Sequence, residues 1–157
     1  MLPGDIIYAS DFDRPYVRLT QQAVQSIGTS DTALTFGTGS TTSDIYGLHD
    51  EVVNNTRITV NKSGLWLVKG NVFIAANAAV TSLSATIGVN GTLVPSRSRS
   101  KPAAVSLSAS QEVVEPLELA SGDFIELYGV CSASATNSSV GGTFASTFNA
   151  HFLGPLT

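Results

Sequence analysis

The sequence predicts an all-β domain, a sandwich or a barrel. Three observations carry that expectation. Apolar residues alternate with polar ones over short runs, turn residues recur roughly every 8–12 positions, and no uninterrupted amphipathic helix of ordinary length occurs in the 157 residues. Alternation at period two places one residue set on each face of a strand, which suits a sheet with one face turned to a core.

Residues 1–21 stand apart from the rest. They carry five charged side chains and two prolines, with scattered apolar groups at Ile6, Ile7, Tyr8, Phe12, Tyr16 and Val17. Pro15 interrupts any long helix. The segment reads as an extended arm, with a helical turn around Val17 to Val24 as the lesser alternative. Too short to bury its own aromatic and branched residues, such an arm needs a partner surface. The domain proper is expected over 22–157.

Candidate strands follow in order: Ala23 to Ile27, Ala33 to Phe36, Arg57 to Val60, Gly64 to Ala76, Ser82 to Val89, Thr92 to Val94, Val105 to Ser110, Val113 to Leu119, Phe124 to Val130 and Thr143 to Leu153. Trp66, Val68, Val72, Ile74 and Ala76 share one face of their strand, and Leu83, Ala85, Ile87 and Val89 share one face of theirs. Val105, Leu107 and Ala109 repeat the pattern. Asn90-Gly91 between two such runs is a hairpin signal, because a type I′ turn needs positive φ at both central residues. Asn61 to Gly64 and Ala120 to Asp123 read as further turns. Pro95 to Ala104, with three positive charges and two prolines, reads as an exposed loop. Phe144, Phe148 and Phe152, four apart, suit a helix face or a strand face. The intervening Thr, Ser and Asn residues and Gly141-Gly142 favour the strand.

Composition narrows the function. Hydrophobic residues make up 43% and charged residues 13% of the chain, the latter about half the fraction usual in soluble domains. With a mean hydropathy of +0.20, this points to surface covered by other subunits. A net charge of −4 disfavours nucleic acid and anionic membrane as partners. The apolar stretch Leu65 to Val80 is interrupted by Lys69, Asn71 and Asn77 and is too short to span a bilayer. The opening residues lack the basic and apolar regions of a signal peptide. The single cysteine, Cys131, excludes an intrachain disulfide.

The residue types that carry chemistry do not converge on a catalytic, cofactor or metal site. His49 sits beside Asp50 and Glu51, but adjacent residues of an extended chain point to opposite faces, so a solvated loop is expected. His151 falls on the strand face opposite the phenylalanines. Asp11 and Asp13 lack the rest of a calcium-loop ligand series. Glu112, Glu115 and Glu118 have Pro116 among them and read as a charged strand edge that discourages aggregation. Asp123 reads as a turn cap. Cys131 has no basic neighbour in sequence to lower its pKa. Serine-hydrolase elbows, phosphate-binding glycine loops and paired-cysteine spacings are absent from the sequence. Arg97, Arg99 and Lys101 have no interleaved aromatics, which a nucleic-acid site would use.

Several segments together resemble one family. Lys62 to Val68 (KSGLWLV) is similar to the turn and central strand of complement-type globular heads and tumour-necrosis-factor-like domains. Ile87 to Gly91 (IGVNG) resembles their Asn-Gly hairpin. Leu117 to Leu127 (LELASGDFIEL) resembles their Leu-x-x-Gly-Asp-x-Val-x-Leu segment, and Thr143 to Leu153 their closing strand. The chain departs from the pattern at Trp66, where Tyr is common, and at Ala150, where Gly is usual. The resemblance implies a jelly-roll β-sandwich behind the short arm, assembled as a homotrimer. It nominates Trp66, Phe73, Phe144, Phe148 and Phe152 as core or axial residues.

The opening Pro3 to Phe12 (PGDIIYASDF) resembles the starts of tailed-bacteriophage virion proteins. Together the resemblances imply a trimeric capsid decoration protein on the virion exterior. The arm residues Ile6, Ile7, Tyr8, Phe12 and Tyr16 would hold it to the major capsid protein or another virion protein, with no cofactor. The alternative is a tail-tip or tail-fibre knob that binds a host surface glycan or receptor through loops such as Ser96 to Lys101 or Ala133 to Gly142.

Overall fold

A computed structural model describes residues 14–76, 79–100, 108–136 and 145–156. Its elements are β1 (Tyr16–Thr20), β2 (Ser26–Ile27), β3 (Thr32–Ala33), β4 (Thr41–Asp44), β5 (Arg57–Thr59), β6 (Gly64–Ile74), β7 (Leu83–Val89), β8 (Thr92–Ser100), β9 (Ala109–Leu119), β10 (Phe124–Cys131), β11 (Ala135–Thr136) and β12 (Thr147–Gly154). One sheet runs β4-β1-β12-β6-β9. A second runs β3-β10-β7-β8, with β5 also paired to β10, and β11 pairs with β2. All the pairings are antiparallel.

The alternation read from the sequence is what packs the layers. On β6, Trp66, Val68, Val72 and Ile74 turn inward and are buried, as are Phe148, Ala150 and Phe152 on β12. From the second sheet Leu83, Ala85, Ile87, Ile125 and Leu127 meet them. Trp66 and Phe152 stack edge to face with ring centroids 5.2 Å apart, and Phe36 stacks on Phe148 at 5.9 Å. Burying one such side chain contributes roughly 1.5–3 kcal/mol. The indole N–H of Trp66 donates to the Lys62 carbonyl at 3.0 Å, so the buried ring leaves no unpaired donor.

The Asn90-Gly91 hairpin forms as expected, with φ of 51° and 78° and Val89 opposite Thr92. Gly70 and Gly64 are places of close approach. A Cβ on Gly64 would collide with the Gly154 carbonyl and lie 2.6 Å from the Phe152 ring.

Four expectations are corrected. The arm does not extend to residue 21. Tyr16–Thr20 is a strand inside the first sheet, hydrogen-bonded between β4 and β12, with Val17 and Leu19 fully buried. The sandwich therefore begins no later than Tyr16, and the helical turn around Val17 is excluded. Second, Pro95 to Ser100 belongs to β8 rather than to a loop. Pro95 is tolerated because β8 is an edge strand and its register with β7 shifts there. Third, residues 109–119 form one continuous strand, so no break separates Ser110 from Val113. Fourth, β4 was not anticipated at all. Residues 1–13, 101–107 and 137–144, including Ile6, Ile7, Tyr8, Phe12 and Phe144, lie outside the described residues.

Replacing Gly64 with alanine should lower the unfolding free energy by about 1–3 kcal/mol. Urea denaturation followed by fluorescence of Trp66, the sole tryptophan, measures this. An unchanged midpoint would show that the Gly64–Phe152 approach is not tight.

Candidate interaction surface

Two parts of the surface expose what a solvated protein usually hides. The first is the outward face of the five-stranded sheet. Register aligns Tyr16, His151, Leu67 and Pro116 as one row across β1, β12, β6 and β9, and Arg18, Asn149, Lys69 and Val114 as the next. Leu67 is 37% exposed, Val114 45% and Leu153 37%. The outward face of an antiparallel sheet is ordinarily polar. Here an aromatic and aliphatic row crosses it, with Tyr16 and His151 rings edge to face at 5.7 Å. Lys69 pairs with Glu112 at 2.8 Å. Arg18 has Ser43 and Asn149 as its register partners. The side-chain carbonyl oxygen of Asn149 is buried without a hydrogen-bond donor, a polar debt at the centre of the face.

The second part is the loop between β4 and β5. Ile45 is 83% exposed, Val52 81% and Val53 59%. Carboxylates fix the backbone of this loop. Asp44 accepts the N–H groups of Leu48 and His49 at 2.9 and 2.8 Å. Asp50 Oδ1 accepts those of Val52 and Val53 at 2.8 and 2.9 Å, and Glu51 those of Gly39 and Thr41, both at 2.8 Å. At Asp50 and Glu51 these bonds stabilise the ionised forms. The Val53 and Val52 N–H groups lower the Asp50 pKa, and the Thr41 and Gly39 N–H groups lower that of Glu51. His49 is not the solvated residue the sequence suggested. Its Nδ1 lies 2.7 Å from the Arg57 carbonyl and its Nε2 2.6 Å from that of Phe36, so it ties the loop to the body.

Polar groups elsewhere serve the scaffold. Asp123 caps its turn, accepting from Ala120 N at 2.7 Å and Asn90 Nδ2 at 2.8 Å, while Asn90 Oδ1 accepts from Phe124 N. The Asn90 and Ala120 donors lower the Asp123 pKa. Glu126 is buried on the second sheet, where Thr56 and Tyr128 hydroxyls each donate to it at 2.7 Å. Arg57 approaches the same carboxylate at 3.4 Å and lies over the Phe124 ring. Burial, with Glu126 alongside, pushes the Tyr128 phenol up to about 12. Burial likewise pushes the Cys131 thiol up to about 11. Among the described residues no group of three or more His, Cys, Asp or Glu is placed to hold a metal ion.

The structure separates the nominated residues. Trp66, Phe148 and Phe152 lie inside a single chain, at 0%, 0% and 7% exposure, and Phe73, at outward parity, is still covered at 6%. Tyr16, assigned to the arm, stands instead in the row on the sheet face. Of the loops nominated for a receptor, Ser96 to Ser100 is strand and Ala135–Thr136 is β11. Sequence reasoning missed Leu67, Val114, Pro116 and Leu153. The unbroken run Leu65-Trp66-Leu67-Val68 held the signal, because it places apolar residues on both faces of its strand.

Two antiparallel sheets face to face in this strand order make a jelly-roll sandwich. No protein-family model matches the chain, and no curated protein sequence matches it. Solved structures do. The globular domain of a zebrafish complement 1qA protein superposes with a TM-score of 0.67 at 13% identity, covering 92% of this chain and 100% of that one. Murine APRIL at pH 5.0 gives 0.66 at 12% identity, covering 90% and 100%. The Eiger TNF of S. frugiperda gives 0.62 at 9% identity, covering 91% and 96%. The chain thus has the fold of complement-type globular heads and tumour-necrosis-factor-like domains.

Because Asp50, Glu51 and Asp123 have folded pKa values below their unfolded ones, their stabilisation is complete above the unfolded value and is lost as pH falls through the folded one. The thermal midpoint should therefore drop on acidification below about pH 4. The Glu51→Gln variant should show a shallower acid limb, measured by circular dichroism from pH 2 to 7. Parallel curves for variant and parent would remove Glu51 from the account.

Proposed function

We propose that this chain is a non-enzymatic structural subunit that acts as a homotrimer. In this reading the trimer closes on the outward face of the five-stranded sheet and decorates the exterior of a tailed-bacteriophage capsid. The observation that carries self-association is the row Tyr16, His151, Leu67 and Pro116 on a sheet face that would otherwise be polar. An exposed apolar stripe on a chain with 13% charged residues favours a partner over solvent. Closed cyclic assembly covers it without open-ended growth. The virion role draws its support from the opening segment, whose Ile6, Ile7, Tyr8 and Phe12 would anchor the trimer to the major capsid protein. Such a trimer bridging neighbouring capsomers stabilises the shell by mass action.

Light scattering of the purified protein should give three times the 16.3 kDa chain mass. The Leu67→Glu variant, changed at a site 37% exposed within the chain, should keep its fold and give one chain mass. A parent that is monomeric at micromolar concentration contradicts the proposal. For the virion role, deletion of residues 2–12 should leave the trimer intact and abolish binding to particles. Labelled antibody should mark capsids, and label confined to tails would support the receptor-binding knob instead.

A further inference from the structure

Asn90-Gly91 closes the β7–β8 hairpin, and it is the chain's one Asn-Gly pair. Such a pair can modify itself without an enzyme. The Gly91 amide nitrogen attacks Cγ of the Asn90 side chain, Nδ2 leaves as ammonia, and a five-membered imide closes. Water then opens the ring to aspartate or to isoaspartate. Asparagine is thermolabile in this sense, and glycine adds no side chain to hinder the attack. The surroundings give no shelter either. Asn90 and Gly91 are both exposed, and among the described residues a Cβ added at Gly91 would meet nothing within 4 Å.

What restrains the pair is the anchoring of the Asn90 side chain. Its Nδ2 donates to Asp123 Oδ1 at 2.8 Å, and its Oδ1 accepts from Phe124 N at 3.0 Å. The Asn90 backbone N–H donates to the Phe124 carbonyl at 2.9 Å. Both ends of the amide are thus tied to the β9–β10 turn and the start of β10, whereas ring closure draws Cγ onto Gly91 N. Asp123 also has no proton to give the departing nitrogen at neutral pH, because the Asn90 and Ala120 donors hold its carboxyl below the usual range.

We propose that Asn90 is a latent deamidation site, kept closed in the folded chain by Asp123 as its positioning residue. The reaction proceeds through openings in which the side chain leaves the β9–β10 turn, and its rate follows the population of that open form. Conversion runs one way. It replaces an amide donor with a second carboxylate beside Asp123, and isoaspartate lengthens the backbone of a tight turn. The clamp between the two turns is then lost for good.

Mass spectrometry of the Asn90 peptide, followed over time at neutral pH, tests this. In the urea-unfolded parent the peptide should convert to aspartate and isoaspartate. The folded parent should convert about tenfold more slowly or less, the factor expected from one hydrogen bond to a charged group. Asp123→Ala, which removes the acceptor, should convert about tenfold faster than the folded parent. Asp123→Asn, which keeps an oxygen acceptor at the same place, should fall between them. Each variant is compared with parent in enough urea to match its unfolding free energy, so that global instability is not read as loss of the clamp. If Asp123→Ala is no faster than its matched parent, Asp123 does not close the site. Should the alanine variant fail to fold, Asp123→Asn carries the same comparison. If folded and unfolded parent convert at one rate, the fold does not close the site. If the unfolded chain converts first at another asparagine, Asn90 is not the site.

Discussion

The constraint on which the rest of the structure depends is that β6 is apolar on both faces. Inward, Trp66, Val68, Val72 and Ile74 form the spine of the sandwich. Outward, Leu65 and Leu67 stand where a one-sided antiparallel sheet would place polar groups. The inward face is satisfied within the chain by β7, β10 and the phenylalanines of β12. For the outward face the described residues of the chain offer Tyr16 and His151 as neighbours and leave Leu67 exposed. In the proposed trimer the same strand ties folding to assembly. A change at Trp66 would act on the core, and a change one residue later would act on the surface.

Around that spine, polar groups among the described residues fix backbone. Asp123 locks the β9–β10 turn to the Asn90 hairpin, and Glu126 joins β5 to β10 through Thr56 and Arg57. Asp50 and Glu51 hold the β4–β5 loop. Each carboxylate accepts N–H or O–H donors, an arrangement that rigidifies loops, and at Asp50, Glu51 and Asp123 those donors lower the pKa. The thiol of Cys131 is buried, and its raised pKa suits a packing role.

Legibility in the sequence followed the length and alternation of each segment. β6 and β7 were readable because four apolar residues share one face of each, β12 because Thr, Ser and Asn residues separate its apolar ones, and the Asn90-Gly91 turn because its chemistry admits few alternatives. β1 was missed because only Val17 and Leu19 mark its inward face, and Pro15 and the flanking arginines look like an arm. β4 (Thr41–Asp44) has no apolar residue at all and exists by pairing with β1, so tertiary context alone creates it. Pro95 misled because proline usually ends a strand, and edge strands are the exception. The interaction surface was half legible. Low charge pointed to surface suited to a partner. Which face carries the apolar row depended on register across four strands, which no local pattern reveals.

The most direct measurement is an experimentally determined structure of the assembled protein, by crystallography or electron cryomicroscopy. The account predicts threefold-related copies with Leu67, Val114 and Leu153 of each chain buried against its neighbour. A structure in which the outward face of the five-stranded sheet lies open to solvent would contradict it, whatever the number of copies in the particle.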